Sequence, residues 1–380
     1  MTVGPYRLRL EKRAVLRSWQ AGVISLLAIA VALLLFSVIF ILAGVNPWEA
    51  YRQIFDYAFA NKYGLPLTLN RFTFLLLCTC AFILPSRAGL WNIGLPGQAY
   101  GGAMGTFAVL ALLAGGPTGV LSTSPALILA LMLIASALGG AVFGGVAGFL
   151  YGRYKVNEIV VTMMLNFVGF WLIAWMIKEG GPFMNSGAEG ESFSVPAALR
   201  APLLLEVPYT LLLALAVAVI LYFVLARTRL GYEVRAHGQS PAAARYAGIS
   251  TFRIPLLVFL LGGAIAGWAG YHYFAAVPGV YKIPRNYGYF GDLAFYGTIC
   301  GLISLGDPLA AIPVALLFGG LSVGGKFVQG ALHIGFGVDY ALLGVLMITL
   351  VASQFLYRYR IAWTRPGEEV ADDRAAGQVP

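Results

Sequence analysis

Ten stretches of this sequence are apolar over the length that a helix needs to cross a lipid bilayer, about 20 residues. They leave little chain for anything else. They lie near Ala21–Gly44, Leu67–Leu84, Gly94–Ala114, Pro125–Tyr151, Glu158–Ile177, Pro208–Ala226, Ile254–Phe274, Gly291–Leu305, Pro308–Gly325 and Gly337–Leu356. The eighth and ninth are short, and Gly306-Asp307-Pro308 between them reads as a tight turn in a hairpin that need not cross far. Hydrophobic residues make up 59% of the 380 and charged residues only 11%, against roughly 25% charged in soluble domains. One globule cannot hide that surplus, because most residues of a soluble fold still touch water. A soluble enzyme, a disordered chain and a secreted disulfide domain are excluded. The expected fold is an all-α polytopic transmembrane bundle of about ten spans with both termini cytoplasmic.

The chain divides into a basic cytoplasmic arm (1–20), a transmembrane domain (21–357) and a polar tail (358–380). The arm carries Arg7, Arg9, Lys12, Arg13 and Arg17 ahead of an apolar run that is too long for a signal peptide core of about 7–15 residues. That run is expected to remain as the first span. With ten spans and the N-terminus inside, the inner stretches hold 17 of the 25 basic residues and the outer stretches 8, which satisfies the positive-inside rule. The net charge of +9 is therefore topological. Basic residues flank apolar runs instead of forming one patch, so no nucleic acid partner is expected. The tail, with Glu368, Glu369, Asp372 and Asp373, reads as disordered. The longest outer loop, Lys178–Val207, is either a solvated connector or a cover over the mouth of a pathway. Cys78, Cys80 and Cys300 sit in apolar runs with no neighbouring His, as small core residues and not metal ligands.

Glycines recur every four residues at Gly140, Gly144, Gly148 and Gly152, at Gly97, Gly101 and Gly105, and at Gly263 and Gly267. Small residues so spaced let helix backbones approach closely in lipid. These helices should be buried, inside the bundle or at a subunit interface. Polar residues within spans say more, because lipid penalises them. Asn92 and Gln98 bracket the start of the third span, where Gly94, Pro96 and Gly97 interrupt an apolar stretch. Two readings fit: a broken segment whose free backbone groups line a cavity, or a tight cytoplasmic loop. Asn157 and Glu158 are either helix caps or site residues, and Asn166 either lines a pathway or joins helices. No run of buried Asp, Glu or His marks a proton relay. His272 and Asp292 come nearest, and a lone His is usually structural. Gly320–Lys326 matches G-x-x-x-x-G-K, but Phe327 stands where a phosphate loop needs Ser or Thr, and a helix precedes it instead of a strand. No motif for ATP hydrolysis or covalent chemistry is present, so the chain is not read as an enzyme.

The stretch between the sixth and seventh spans (227–253) is polar and patterned. Ser240 and Pro241 form a helix start, Ala242–Ala247 a short helix, and Gly248 its end. Two turns are too few to be stable alone. Such a helix must dock, in a groove of a partner protein or in the headgroups.

The pattern Gly231-x-Glu233-x-Arg235-Ala-x-Gly-x-x-Pro241-x-Ala243-Ala-x-Tyr-Ala-Gly248-Ile resembles the coupling region in permease subunits of bacterial ABC importers for nucleosides and simple sugars. These are distant relatives of the branched-chain amino acid permeases. Asn92-Ile-Gly94-Leu-Pro-Gly97-Gln98 resembles that family's N-I-G-x-E-G-Q segment, and Asn157-Glu158-Ile-Val-Val-Thr-Met-Met-Leu-Asn166 its N-E-x-x-x-T-x-M-L-N segment. The likeness covers roughly residues 70–350, with the blocks in the family's order. It implies that Gly231, Glu233, Arg235, Pro241, Ala243 and Gly248 belong to an ATPase-docking loop. It also implies that Asn92, Gly94, Gly97, Gln98, Asn157, Glu158 and Asn166 lie around the translocation pathway. The implied partners are an ABC ATPase carrying ATP and Mg, a second permease protomer, an extracytoplasmic solute-binding protein and the lipid bilayer. No cofactor is expected on this chain, and its place would be the bacterial inner membrane as a multi-pass protein. Pro96 stands where the family has Glu, which removes a charge and stiffens the turn. The competing expectation is an ion-driven secondary transporter or channel working without an ATPase.

Overall fold

The computed structural model describes residues 2–3, 6–12, 18–115, 124–185, 187–204, 206–335 and 337–364. Arg13, Arg17 and the acidic residues of the tail lie outside the described residues. Two units are distinguished, one built from residues 1–39 and 344–380 and one from residues 40–343.

Every one of the ten apolar stretches coincides with a helix. These are α1 (Ser18–Leu42), α3 (Gly64–Arg87), α4 (Leu95–Leu113), α5 (Pro125–Tyr154), α6 (Glu158–Met176), α7 (Thr210–Arg227), α10 (Arg253–Tyr271), α11 (Tyr289–Ile303), α12 (Ala311–Ala331) and α13 (Val338–Arg358). Among the described residues, three further α-helices lie between them: α2 (Pro47–Phe55), α8 (Arg229–Gln239) and α9 (Pro241–Tyr246). Among the described residues, α3, α5, α6, α7, α12 and α10 with its extension to Ala276 are each long and apolar enough to cross a membrane. A seventh is obtained if Leu26–Leu42 and Pro47–Ala60 are taken as one bent span, while α11 and α13 are shorter apolar helices. The chain is thus a mostly helical, multi-pass membrane protein.

Short strands qualify the all-α expectation. In the unit of 1–39 and 344–380, β1 (Thr2–Val3) and β2 (Tyr6–Lys12) pair with β7 (Tyr359–Thr364) in the order β1-β2-β7, all antiparallel. Lys12 lies opposite Tyr359 and Arg7 opposite Thr364. Residues 359–364, placed by the sequence reading in the disordered tail, are therefore a strand; β-branched and aromatic residues such as Tyr359, Ile361 and Trp363 favour it. In the other unit, β3 (Met184–Asn185) pairs with β4 (Ala188–Ser192), and β5 (Leu203–Leu204) with β6 (Val207–Pro208).

Within residues 40–343, α3 is the central post. From Phe72 to Pro85 every residue is buried, against α7, α10, α11 and α12. The remaining core is α5 packed on α4 and α10, and here the glycine stripes act. Gly140 meets the backbone of Gly263 and Gly267, Gly144 the carbonyl of Phe259, and Gly148 the backbone of Pro255 and Leu256. Gly101 faces Gly139, and Gly105 faces the carbonyl of Ala135. Of the two settings left open for these stripes, the structure gives the first: they join helices of one chain. The Trp268 indole closes the α5–α10 seam by donating to the Leu133 carbonyl at 3.1 Å. Outward, α6 presents Met163, Met164, Phe167, Trp171 and Trp175, all exposed, as a lipid-facing helix does.

A β-carbon at position 267 would collide with the Ser136 carbonyl oxygen on α5. Gly267→Val should therefore lower stability by about 1–3 kcal/mol, the usual cost of overpacking, read as earlier thermal unfolding of the detergent-solubilised protein. Gly330→Ala, where nothing lies within 4 Å, should leave the transition where it is.

Candidate functional site

At the end of the bundle where α3 finishes, polar side chains interlock. The amides of Asn92 and Gln98 face each other. Asn92 Nδ2 donates to Gln98 Oε1 at 3.0 Å, and Gln98 Nε2 donates to Asn92 Oδ1 at 2.9 Å. Asn92 Oδ1 also accepts from the Gly94 N–H at 3.2 Å. Both side chains are buried. Asn166, on α6, reaches across to the start of α4. Its oxygen accepts from the Gly97 N–H at 2.8 Å, and its nitrogen donates to the Ile93 carbonyl at 3.0 Å. Residues 88–94 are a connector and α4 starts only at Leu95, with Pro96 in its first turn, so of the two readings the loop joining α3 and α4 holds and not a broken helix. The start of α4 has orphan backbone groups, and Asn92 and Asn166 satisfy the N–H groups of Gly94 and Gly97 there.

Glycine makes this approach possible. A β-carbon on Gly97 would stand 2.7 Å from the Leu165 carbonyl oxygen, and one on Gly94 would stand 2.9 Å from Thr162 Cβ. Asn157 caps α6, accepting from the N–H groups of Ile159 and Val160 at 2.9 and 3.2 Å. Glu158 Oε1 accepts from the Trp91 N–H at 3.3 Å. Asn92, Gly94, Gly97, Gln98, Glu158 and Asn166 thus form one network between α4 and α6, with Asn157 at its edge.

The predicted docking stretch lies at the same end. Ser240 caps α9, accepting from the Ala243 N–H at 3.2 Å, with Pro241 at the first position. Gly248 follows at φ +80°, a conformation that L side chains rarely adopt. Of the residues in α9 only Ala244 is buried; Ala243 and Arg245 are exposed and Tyr246 is 95% exposed. The preceding residues, read from sequence as loop, are helix α8, capped by Thr228 through the Gly231 N–H. Gly231 packs against the backbone of Val224 and Leu225 at the end of α7. Glu233 accepts from the exposed Arg229 at 2.8 Å, and Arg235 is half-buried. The anchor is at the far end of α8. The buried His237 Nδ1 lies 2.9 Å from the Ala88 carbonyl and so donates to it. Gly238 packs against the backbone of Arg87–Gly89. That turn is fixed from its other side, where Arg87 Nε donates to the Gly306 carbonyl at 2.7 Å. Four residues after Ala88 comes Asn92.

At the opposite end, where α3 begins, two adjoining cavities of about 410 and 340 Å³ share Arg71, Tyr273, Ser322 and Lys326. The first also reaches Asn70 and the stacked pair Tyr57 and Phe327, whose ring centroids are 3.8 Å apart. The second is lined by Tyr289, Tyr296, Gln329, Asp339 and Tyr340. Among the described residues, neither Arg71 nor Lys326 makes an ion pair. Asn70 and Asp339 are each more than nine-tenths buried, and each has an oxygen without a hydrogen-bond partner. Two single turns of π-helix, Asp56–Ala60 and His272–Ala276, supply Tyr57 and Tyr273; such turns recur at functional sites. His272 is structural. Its Nε2 donates to the Asn70 carbonyl at 3.0 Å, which leaves Nδ1 to accept from the Thr210 hydroxyl at 2.7 Å.

The stretch 178–207 is folded and pinned to the segment after α10. Ser192 and Ile283 exchange hydrogen bonds, the Val195 N–H donates to the Tyr281 carbonyl, and Lys282 pairs with Glu191 at 2.6 Å. Tyr287, beyond that segment, donates to the Phe170 carbonyl at 3.0 Å, and burial pushes its phenol up to about 12.

Sequence reasoning missed the cavity. Arg71 and Lys326 were counted as topological charges, yet Arg71 lies within the apolar run 67–84. An ionisable residue inside a span is itself a signal of function. It missed α8 as well, although Thr228 three residues before Gly231 is a capping pattern.

This multi-pass bundle thus carries a helix start held by amides at one end, with the surface helix α9 beside it, and a polar cavity at the other. Residues 65–351 match the family described as "Branched-chain amino acid transport system / permease component", and the chain belongs to that family. It is an ABC transporter permease, and relatives of it are named for sugars and nucleosides. It is 32% identical to a glucose ABC transporter permease protein of Haloferax volcanii, over 98% of both chains. It is 28% identical to a guanosine ABC transporter permease protein of Bacillus subtilis, over 88% of this chain and 94% of that one. It is 27% identical to a nucleoside ABC transporter permease protein of Lactococcus lactis, over 79% and 83%.

The amide pair sets a measurable coupling. Asn92→Ala and Gln98→Ala each strand a buried amide, a loss of about 1–3 kcal/mol. The double variant should be less destabilised than their sum, with a coupling of about 0.5–3 kcal/mol. Thermal unfolding of the four proteins in one detergent checks this, and strict additivity would contradict the pairing.

Proposed function

We propose that this chain is the membrane-spanning subunit of an ATP-driven importer for a nucleoside or simple sugar, working by alternating access. The single observation that carries the reading is the seating of α9. It is an exposed two-turn helix, and the helix before it is anchored by His237 and Gly238 to the 87–89 turn that leads into the Asn92–Gln98–Asn166 network. A partner ATPase holding ATP and Mg grips α9, with Gly231, Glu233, Arg235, Pro241, Ala243 and Gly248 shaping the docking loop. Displacement of α8 then moves the turn, and the turn moves the start of α4. Packed elements switch between discrete arrangements instead of deforming continuously.

All ten apolar helices span in this reading, with both termini in the cytoplasm, as the 17-to-8 division of basic residues supports. The amide network then lies at the cytoplasmic end and closes the pathway there. The Arg71–Lys326 cavity lies at the outer end, where an extracytoplasmic binding protein delivers solute. In that arrangement Asn92, Gly94, Gly97, Gln98, Asn157, Glu158 and Asn166 act on the pathway as its inner closure. A second permease protomer completes the transporter in the plasma membrane, and no cofactor is assigned to this chain. The relatives named for glucose, guanosine and nucleosides support the solute classes.

Glu233→Lys and Ala243→Asp alter the docking loop without touching the cavity. Each should leave the chain inserted in the membrane while ATP hydrolysis by the complex continues and uptake falls at least about tenfold. Parallel assays of phosphate release and solute uptake in proteoliposomes check this. Unchanged coupling in both variants would overturn the docking assignment.

A further inference from the structure

We infer that the stacked rings of Tyr57 and Phe327 are the outer gate of the solute pathway: they part to admit solute into the cavity where α3 begins and close behind it. The inference rests on the importer reading above, in which that cavity lies on the pathway, and names the residues that control entry to it.

A surface depression of about 420 Å³ is lined by Gln53, Asp56, Ala60 and Asn61. The cavity of about 410 Å³ holds Asn70, Arg71 and Lys326. Tyr57 and Phe327 line both, and among the described residues no other does. The ring pair is therefore the wall between them. Its planes lie within 4° of parallel and its centroids are 3.8 Å apart. Carbon atoms touch at about 3.5–4.0 Å, so no solute fits between the faces while they are stacked.

Glycine contacts fix the backbone on which each ring is mounted. Gly324, three residues before Phe327 on α12, meets the carbonyl of Ile54, three residues before Tyr57. Gly320 receives the ring of Phe59, and Gly64, at the start of α3, lies against the carbonyl of Tyr57 itself. With the backbones pinned, the wall opens through its side chains. Phe327 is 39% exposed and Tyr57 half-buried, and exposed side chains change rotamer within nanoseconds. The centroids are closer than the roughly 4.5–7 Å of favoured aromatic pairs, so the seating and not ring attraction sets the stack. An aromatic pair shifts an equilibrium by about 2- to 13-fold. That keeps the wall closed at rest and lets an arriving solute, laying an apolar face on either ring, replace the partner ring.

The test reads access to the cavity. Ser322→Cys places a thiol among the cavity-lining residues, while the native Cys78, Cys80 and Cys300 are buried. Ala60→Cys places one in the outer depression as a control. The purified transporter in lipid nanodiscs is treated with a bulky maleimide, and the modification rate is followed by mass spectrometry. Tyr57→Leu and Phe327→Leu should each speed modification at position 322 at least about threefold. The double variant should add no more than about a further twofold, because one ring alone does not close the wall. Modification at position 60 should keep its rate throughout.

An unmoved rate at position 322, or an equal rise at position 60, overturns the gate. If one Leu variant does not reach the membrane, the variant of the opposite ring decides in its place. Uptake of labelled guanosine and glucose by host cells, before and after maleimide, separates the gate from the reading beneath it. Ser322→Cys should lose uptake on modification. Full uptake after complete modification takes the cavity off the pathway, and the gate falls with it. Uptake of neither solute by the wild type overturns the solute classes of the importer reading and leaves the modification rates to decide the gate.

Discussion

The close approach of α10 to α5, backbone against backbone at Gly140, Gly144, Gly263 and Gly267, is the contact on which the remaining architecture depends. Lipid offers no hydrophobic drive to bring two apolar helices together, so contact must come from shape. Glycine removes the side chains that would hold the backbones apart. The same device repeats where Gly101 meets Gly139 and where Gly102 meets Gly267, which fixes α4 against both helices. Only with α4 so held can its start lie beside α6, where Gly97 and Asn166 meet. The buried amides of Asn92 and Gln98 then have one geometry in which all their groups are paired.

The two ends of the bundle differ in kind. One is a satisfied polar network, with each amide matched to an amide or to a backbone group. The other is a cavity where, among the described residues, two cations make no ion pair and two buried oxygens have no hydrogen-bond partner. In the proposed cycle this asymmetry is what alternating access requires: a latch that is complete when closed, and a site that is complete only when loaded. The chain between them is short. Ala88 carries the bond to His237, and Asn92 follows within four residues, so motion at α9 needs no long relay to reach the latch.

Much of the fold was legible in the sequence because lipid imposes a simple rule. Every apolar run of spanning length became a helix, and the caps at Ser240 and Asn157 formed as their residue types dictate. The glycine spacing announced close packing but not its partners, since period-four stripes look alike whether they meet within a chain or between chains. Asn92, Gln98 and Asn166 were legible as polar residues in apolar surroundings, whereas their mutual hydrogen bonds depend on the fold. Arg71 and Asp339 are 268 positions apart in the sequence and line one cavity only because of the fold. The 359–364 strand was hidden because its partner is the N-terminal arm, at the other end of the chain.

The central claim is that an ATPase works through α9. The most direct measurement is to tag this chain in its native host, extract it in mild detergent and identify the co-purifying chains by mass spectrometry. The account predicts a stoichiometric ABC ATPase that co-purifies with the wild-type chain. Purification of the wild-type chain without any ATPase, even after gentle cross-linking, would contradict the account and return the protein to the class of ion-driven carriers.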